Sequence, residues 1–239
     1  MITLGVDLAS QPKKTAACVV NWRPHEATVE TLETGVTDER LLELASGADK
    51  VGVDVPFGWP EAFVEAVTAH HAGHLWFLEP DGNLRLRRTD LFVHRNTGKW
   101  PLSVSTDKIA VPALRAAFLM CRLAASGSPV DRTGTGKFVE VHPAAALLRW
   151  SLADGANGTA NLIGSLRTHI PWLKVSDESC AFCSQNRDAR DSVVAALIAR
   201  AAALDLCEPI PEDDLHVAAA EGWIALPVVE SLSRLLGGE

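Results

Sequence analysis

The sequence predicts an α/β protein: a mixed five-stranded sheet, three antiparallel strands plus two parallel ones, with helices on both faces. Three observations predict it. Residues 2–34 carry strand-like patterns broken by short turns. Two later apolar runs, at 50–55 and 137–141, are too short for helices and read as buried strands, the first directly after a helical pattern. Helical patterns fill most of the remainder, the longest spanning 188–206.

Each element follows from local chemistry. In residues 2–9, Ile2, Leu4, Val6 and Leu8 alternate with Thr3, Gly5 and Asp7, the period of a strand that buries one face. Strands continue at 15–22 and 27–34 with Arg23-Pro24-His25 between them, which makes a meander. Thr37 N-caps a helix over 38–46, and Pro56 stops the strand over 50–55. A helix over 61–71 follows Pro60. Residues 73–106 lack a sustained period and are rich in charge, Gly and Pro, so they read as a functional excursion. The organisation is therefore one domain, 1–239, with an insertion at about 73–110.

Pro112 opens a helix to Ala125 whose apolar stripe is Leu114, Phe118, Leu119 and Leu123. Turns at 127–136 lead into the strand over 137–141, which Pro143 ends while opening a helix over 144–152. Between 153 and 186 only a short helix near 161–168 is legible. The helix over 188–206 buries Val193, Val194, Leu197, Ile198, Ala201 and Leu204, and two helical pieces lie near 221–223 and Pro227.

Composition narrows the function classes. At 47% hydrophobic and 22% charged, the 239 residues are neither disordered nor collagen-like. No run nears the roughly 20 apolar residues of a membrane span, and residues 1–10 lack signal-peptide order, so a soluble cytoplasmic protein without a membrane partner is expected. Five scattered cysteines, Cys18, Cys121, Cys180, Cys183 and Cys207, fit a reducing compartment. A net charge of −8 gives no long-range attraction to nucleic acid, so any phosphate contact must be local.

The unusual feature is where the carboxylates fall. Asp7 lies inside the first strand, Asp54 at the end of the fourth and Glu140 inside the fifth. Asp188 and Asp191 share a face of the last long helix, whose first turn would bring Asp191 toward Asp7. Acids gathered at a sheet repel unless some are protonated or a cation bridges them, and oxygen-only ligands favour Mg²⁺ or Mn²⁺. Two such ions would activate water and stabilise a leaving oxygen in phosphodiester hydrolysis. Each acid also has an ordinary reading as an Asx turn, a helix cap or a solvated side chain. Their coincidence favours the cluster.

At this point the sequence resembles a known family. Gly5-Val6-Asp7, Gly52-Val53-Asp54-Val55-Pro56, Arg88-Thr89-Asp90, Val139-Glu140-Val141-His142-Pro143-Ala144, Asp191-Ser192-Val193-Val194-Ala195-Ala196 and Glu221-Gly222-Trp223-Ile224 recur in this order in an uncharacterised domain-of-unknown-function family described as predicted nucleases with a ribonuclease-H-like fold. The resemblance implies that fold, nuclease activity, and Asp7, Asp54, Glu140 and Asp191 as catalytic metal ligands. It adds Glu221 as an accessory acid, for which a salt bridge is the plainer role.

Five cations lie between residues 85 and 99 (Arg85, Arg87, Arg88, Arg95, Lys99) against one acid, Asp90. Arg88, Arg95 and Lys99 are the expected contacts to a nucleic-acid backbone, with Phe92 and Trp100 available to stack on bases. Pairing of Arg88 with Asp90 or another acid is the ordinary alternative. His142 follows Glu140 by two residues and would orient a carboxylate or shuttle a proton. Gly134-Thr135-Gly136-Lys137 precedes a strand and reads as a turn, Cys180 and Cys183 lack a second pair for zinc, and His70, His71 and His74 read as surface histidines.

The expected function is metal-dependent hydrolysis of DNA or RNA, and a nuclease cutting both strands would act as a homodimer. Its rivals are an ATP-dependent phosphotransferase of the sugar-kinase and actin-like branch, disfavoured by Ala9-Ser10-Gln11-Pro12 and Phe57-Gly58-Trp59 where Gly-rich loops belong, and a non-catalytic interaction module.

Overall fold

A computed structural model describes residues 1–76, 78–79, 82–152 and 162–237. The chain runs β1 (Ile2–Asp7), β2 (Ala16–Trp22), β3 (Ala27–Thr34), α1 (Asp38–Gly47), β4 (Lys50–Asp54), α2 (Glu61–His71), α3 (Gly82–Arg85), α4 (Arg88–Thr97), α5 (Ala110–Ala125), β5 (Phe138–Glu140), α6 (Pro143–Arg149), α7 (Leu162–His169), β6 (Leu173–Lys174), α8 (Asp177–Gln185), α9 (Arg187–Ala203) and α10 (Leu215–Glu221). It is a mixed α/β fold around a six-stranded sheet of order β5-β4-β1-β2-β3-β6. The first three strands form the expected antiparallel meander, and β4 and β5 join β1 in parallel. The sixth strand corrects the five-stranded expectation. It is a Leu-Lys dipeptide parallel to β3, too short to leave a pattern.

Helices cover both faces, and the pleat assigns residues to each. Leu4, Val6, Val51 and Phe138 turn toward α1 and α5, packing with Leu41, Ala45, Ala116 and Leu119. The alternate positions face α9. Gly5 and Gly52 stand opposite each other in register. A methyl group on Gly5 would overlap Ser192 O and Ala196 N, and one on Gly52 would lie 2.6 Å from Ala195 O. Hydrogen atoms at these two positions let the α9 backbone lie against the strands, so α9 is buried almost throughout.

Several boundaries and faces differ from expectation. Asp54 ends β4 as expected, whereas Asp7 and Glu140, expected inside their strands, end β1 and β5, so all three acids occupy strand C-termini. The helical piece expected near 221–223 is α10, which lies earlier and ends at Glu221, while Pro227 is not helical: Ile224 forms a parallel bridge beside Glu140, and Pro227 bridges Cys207. The helix α5 starts at Ala110, and its buried residues are Ala113, Ala116 and Leu119, while Leu114 and Phe118 are exposed. Of the expected stripe, Leu119 is buried and Leu123 packs against the same core, while Ala113 and Ala116 take the inner positions that Leu114 and Phe118 were expected to fill. The helix expected near 161–168 is α7, though position 161 lies outside the described residues.

Candidate active site

The pattern Gly-Val-Asp occurs at residues 5–7 and again at 52–54. Because strand side chains alternate, the Asp in each lies on the same face as the Gly two positions earlier. Parallel pairing sets Asp7 beside Asp54, as it sets Gly5 beside Gly52, with neighbouring strands about 4.8 Å apart. The glycines admit α9, and the aspartates project just beyond them toward its N-terminal turns. There Asp191, a partly buried residue, accepts a hydrogen bond from Arg187 Nε at 3.1 Å, and its other oxygen lies 3.6 Å from Arg190 Nε.

The electrostatics are those of crowded acids. Burial, reinforced by the charges of Asp191 and then Asp188, pushes the Asp7 carboxyl up to about 7, against a counteracting pull from Arg187. Asp54 is driven well above the carboxylate range by burial, then by Asp7, Asp191 and Glu140. Burial also raises Asp191, opposed by Arg190 and Arg187. His142 Nδ1 lies 4.0 Å from Asp54 Oδ1, at the N-cap of α6. Burial lowers this imidazole to about 4, so near neutrality it is an uncharged neighbour of Asp54, and its Nε2 has no hydrogen-bond partner among the described residues.

Glu140 belongs to a different constellation. It pairs in register with Val53, one residue short of Asp54, and the pleat therefore turns it to the opposite face. Its two oxygens accept from Arg87 Nη2 at 2.7 Å and Nη1 at 2.9 Å, and one also accepts from the Phe57 amide at 2.8 Å. Asp90 completes the cage around Arg87, taking Nη2 at 3.0 Å and the Arg87 amide at 2.9 Å. Burial alone would depress Arg87, which is 1% exposed, yet Asp90 and Glu140 hold its pKa above the ordinary arginine value. Glu221 joins the same assembly: its Oε1 accepts from the Glu61 amide and its Oε2 from the Arg88 amide, so one carboxylate caps α2 and α4 together.

The structure thus brings Asp7, Asp54 and Asp191 together with Asp188 nearby, and places Glu140 and Glu221 in the Arg87 hub. Among the expected phosphate contacts, Arg88 is paired with Asp214 at 2.8 Å, whereas Arg95 and Lys99 are exposed and form no ion pair among the described residues. Arg87 and Asp90 carry the hub, although the sequence shows Arg87 only as one cation of a charge run and Asp90 as a partner for Arg88, not for Arg87. Their signal was the adjoining tripeptide Arg88-Thr89-Asp90, whose Thr89 hydroxyl accepts the Ile224 amide at 2.8 Å. The tripeptide and Glu221-Gly222-Trp223-Ile224 are thus two halves of one contact. Gly222 has φ 84°, and a Cβ there would lie 2.9 Å from Glu140 Oε2 and 2.9 Å from Phe57 Cβ.

A family model described as protein of unknown function, DUF429, matches residues 5–216. The chain belongs to that family. No curated protein and no solved structure gives a significant match. The DUF429 match covers Asp7, Asp54, Glu140 and Asp191, and ends short of Glu221.

Oxygen donors suit a hard divalent cation, and Mg²⁺ is commonly held by one or two carboxylates with water and phosphate oxygens completing its shell. The Asp7–Asp54 pair of this DUF429 chain meets that requirement. No group of three His, Cys, Asp or Glu side chains among the described residues is arranged to hold a metal. The third candidate, Asp191, is turned to its arginines. No helix among the described residues is long and apolar enough to cross a membrane.

Proposed function

We propose that this protein is a divalent-metal-dependent phosphodiesterase acting on nucleic acid, a nuclease with a ribonuclease-H-like fold. The carrying observation is the in-register pair Asp7 and Asp54 at the C-terminal ends of adjacent strands, both carboxyls pushed upward by burial and then by neighbouring acids. The topology supports the location. From β1 the chain builds outward through β2 and β3 on one side and through β4 and β5 on the other, so the β1–β4 boundary is the switch point of the sheet. Ligands of open α/β sheets bind in the crevice outside the strand carboxyl ends at such a point. A central meander flanked by parallel β4 and β5, with β2 antiparallel to its neighbours, supports the finer fold reading.

Asp7 and Asp54 would hold Mg²⁺ or Mn²⁺, with Asp191 as the adjacent third acid. When bound, the ion supplies charge neutralisation at the phosphate and lowers the pKa of water. The residues of the chain do the remainder. Arg187, exposed and paired with Asp191, would meet an arriving phosphate oxygen, and its charge opposes the rise that burial imposes on the Asp191 carboxyl. His142, 4.0 Å from Asp54 and uncharged near neutrality, brings no positive charge to compete with the cation. Glu140, held by Arg87, accepts the Phe57 amide directly and so fixes the loop that follows Asp54. Arg95 and Lys99 meet the backbone of the substrate.

The test is cleavage of labelled DNA and RNA strands with Mg²⁺ or Mn²⁺. Cleavage that needs the metal and falls at least about a hundredfold in Asp7→Asn and Asp54→Asn supports the reading. Cleavage unchanged in both variants contradicts it.

A further inference from the structure

Away from the acid pair, the end of α4 builds an aromatic platform. Gly98 closes that helix in the left-handed conformation, φ 70°, and donates its amide to His94 O at 2.8 Å. The chain reverses there, and Lys99 N is held by Thr97 Oγ1 at 3.1 Å. Trp100 consequently lies flat on His94, with ring centroids 3.5 Å apart and planes 10° from parallel. One indole face is covered by the imidazole. The residue is still 49% exposed, and the other face has no ring partner among the described residues.

The surroundings fit an anionic chain with exposed rings. Phe92, the neighbouring aromatic, is occupied by Trp223 at 5.2 Å, so Trp100 is the ring left open at this end of α4. Arg95 and Lys99 flank it, both exposed and without an ion pair among the described residues. Lys99 also lies close enough to His142 to act on it electrostatically, which sets the platform beside the imidazole that neighbours Asp54.

We propose that the open face of Trp100 stacks an unpaired nucleobase while Lys99 and Arg95 take the adjoining phosphates, so that the preferred ligand is single-stranded nucleic acid. This rests on reading the acid pair as a phosphodiester site. Stacking on an indole tolerates any base, because each has a π-face, but it requires a base free of its own stack. A duplex keeps its base faces covered and offers only edges and backbone. In a protein of charge −8, a pre-stacked ring beside two cations supplies affinity that bulk attraction does not.

Fluorescence anisotropy of an oligothymidylate and of a duplex, titrated with the full chain in EDTA, tests this. The single strand binds more tightly than the duplex, and Trp100→Ala weakens it by about five- to a hundredfold. Trp100→Phe retains most of the affinity, because a phenyl ring still stacks. Lys99→Gln lowers the slope of log affinity against log salt by about 0.7. Matching thermal unfolding of the variants establishes that the fold is kept. Equal affinity for the two forms, no measurable binding of either, or a Trp100→Ala affinity equal to wild type overturns the platform. With divalent ions chelated, this result is independent of the acid pair, which a metal titration reads separately.

Discussion

On one face of the sheet, Glu140 and Asp90 close around Arg87 until the guanidinium is fully buried. On the other, Asp7 and Asp54 stand side by side with no basic side chain among the described residues within ion-pair distance except His142, itself uncharged near neutrality, and with Arg187 paired to the neighbouring Asp191. Both sets crowd the same strand ends, and Glu140 is near enough to Asp54 to raise its pKa. The hub is complete within the chain, as a structural ionic cluster must be, because a buried charge left alone is expensive. The aspartate pair is incomplete without a proton or a cation, which is the usual condition of a site built for an external ligand.

The comparison can be broken most directly through Arg87. Arg87→Gln leaves Glu140 and Asp90 without their cation and should cost about 3–5 kcal/mol in urea unfolding. An unchanged midpoint would show that the hub is not a structural unit. Gly222→Ala comes next: the positive φ and the approach to Glu140 and Phe57 should cost about 2–3 kcal/mol.

The aspartates should respond with the opposite sign. Asp54→Asn removes a charge crowded by Asp7 and Asp191, and in EDTA at pH 8 should stabilise the protein by about 1–2 kcal/mol. Destabilisation there would mean that the pair is structural. The pH dependence sharpens this further. Asp7 is raised from 3.8 to about 7, so the folded chain holds this proton more tightly than the unfolded chain does. Its contribution to stability is fully present below 3.8 and is lost as the pH rises through about 7. The stabilisation by Asp7→Asn, followed by thermal unfolding in EDTA, should therefore grow across that window and level off above it. The smallest effect belongs to Arg88→Ala, which breaks a half-exposed pair with Asp214 and should cost about 0.5 kcal/mol.

Much of this was legible in the sequence where short-range pattern decides structure. The bounds of β3 and α2 coincide with their expected ranges, and Thr37 caps α1 by accepting the Arg40 amide. The convergence of Asp7 and Asp191 followed from the alternation of β1 and the face of α9. Relations fixed by tertiary register were not legible. Whether Glu140 faces Asp54 depends on a one-residue offset between β5 and β4, which neither strand encodes alone. The helix α4 was hidden because its N-cap is Arg87, an unusual cap that works only with Asp90 answering it. Leu119 and Leu123 of the expected α5 stripe do face the core, but Leu114 and Phe118 turn outward because close packing selects Ala113 and Ala116 there.

The measurement that bears most directly on the acid pair is a calorimetric titration of Mn²⁺ into the full chain at pH 8, with Asp7→Asn alongside. Saturable heat in the wild type and none in the variant is the expected result. Identical traces from the two proteins, or a wild type that takes up no ion, would contradict the assignment of these neighbouring strand ends to a divalent cation.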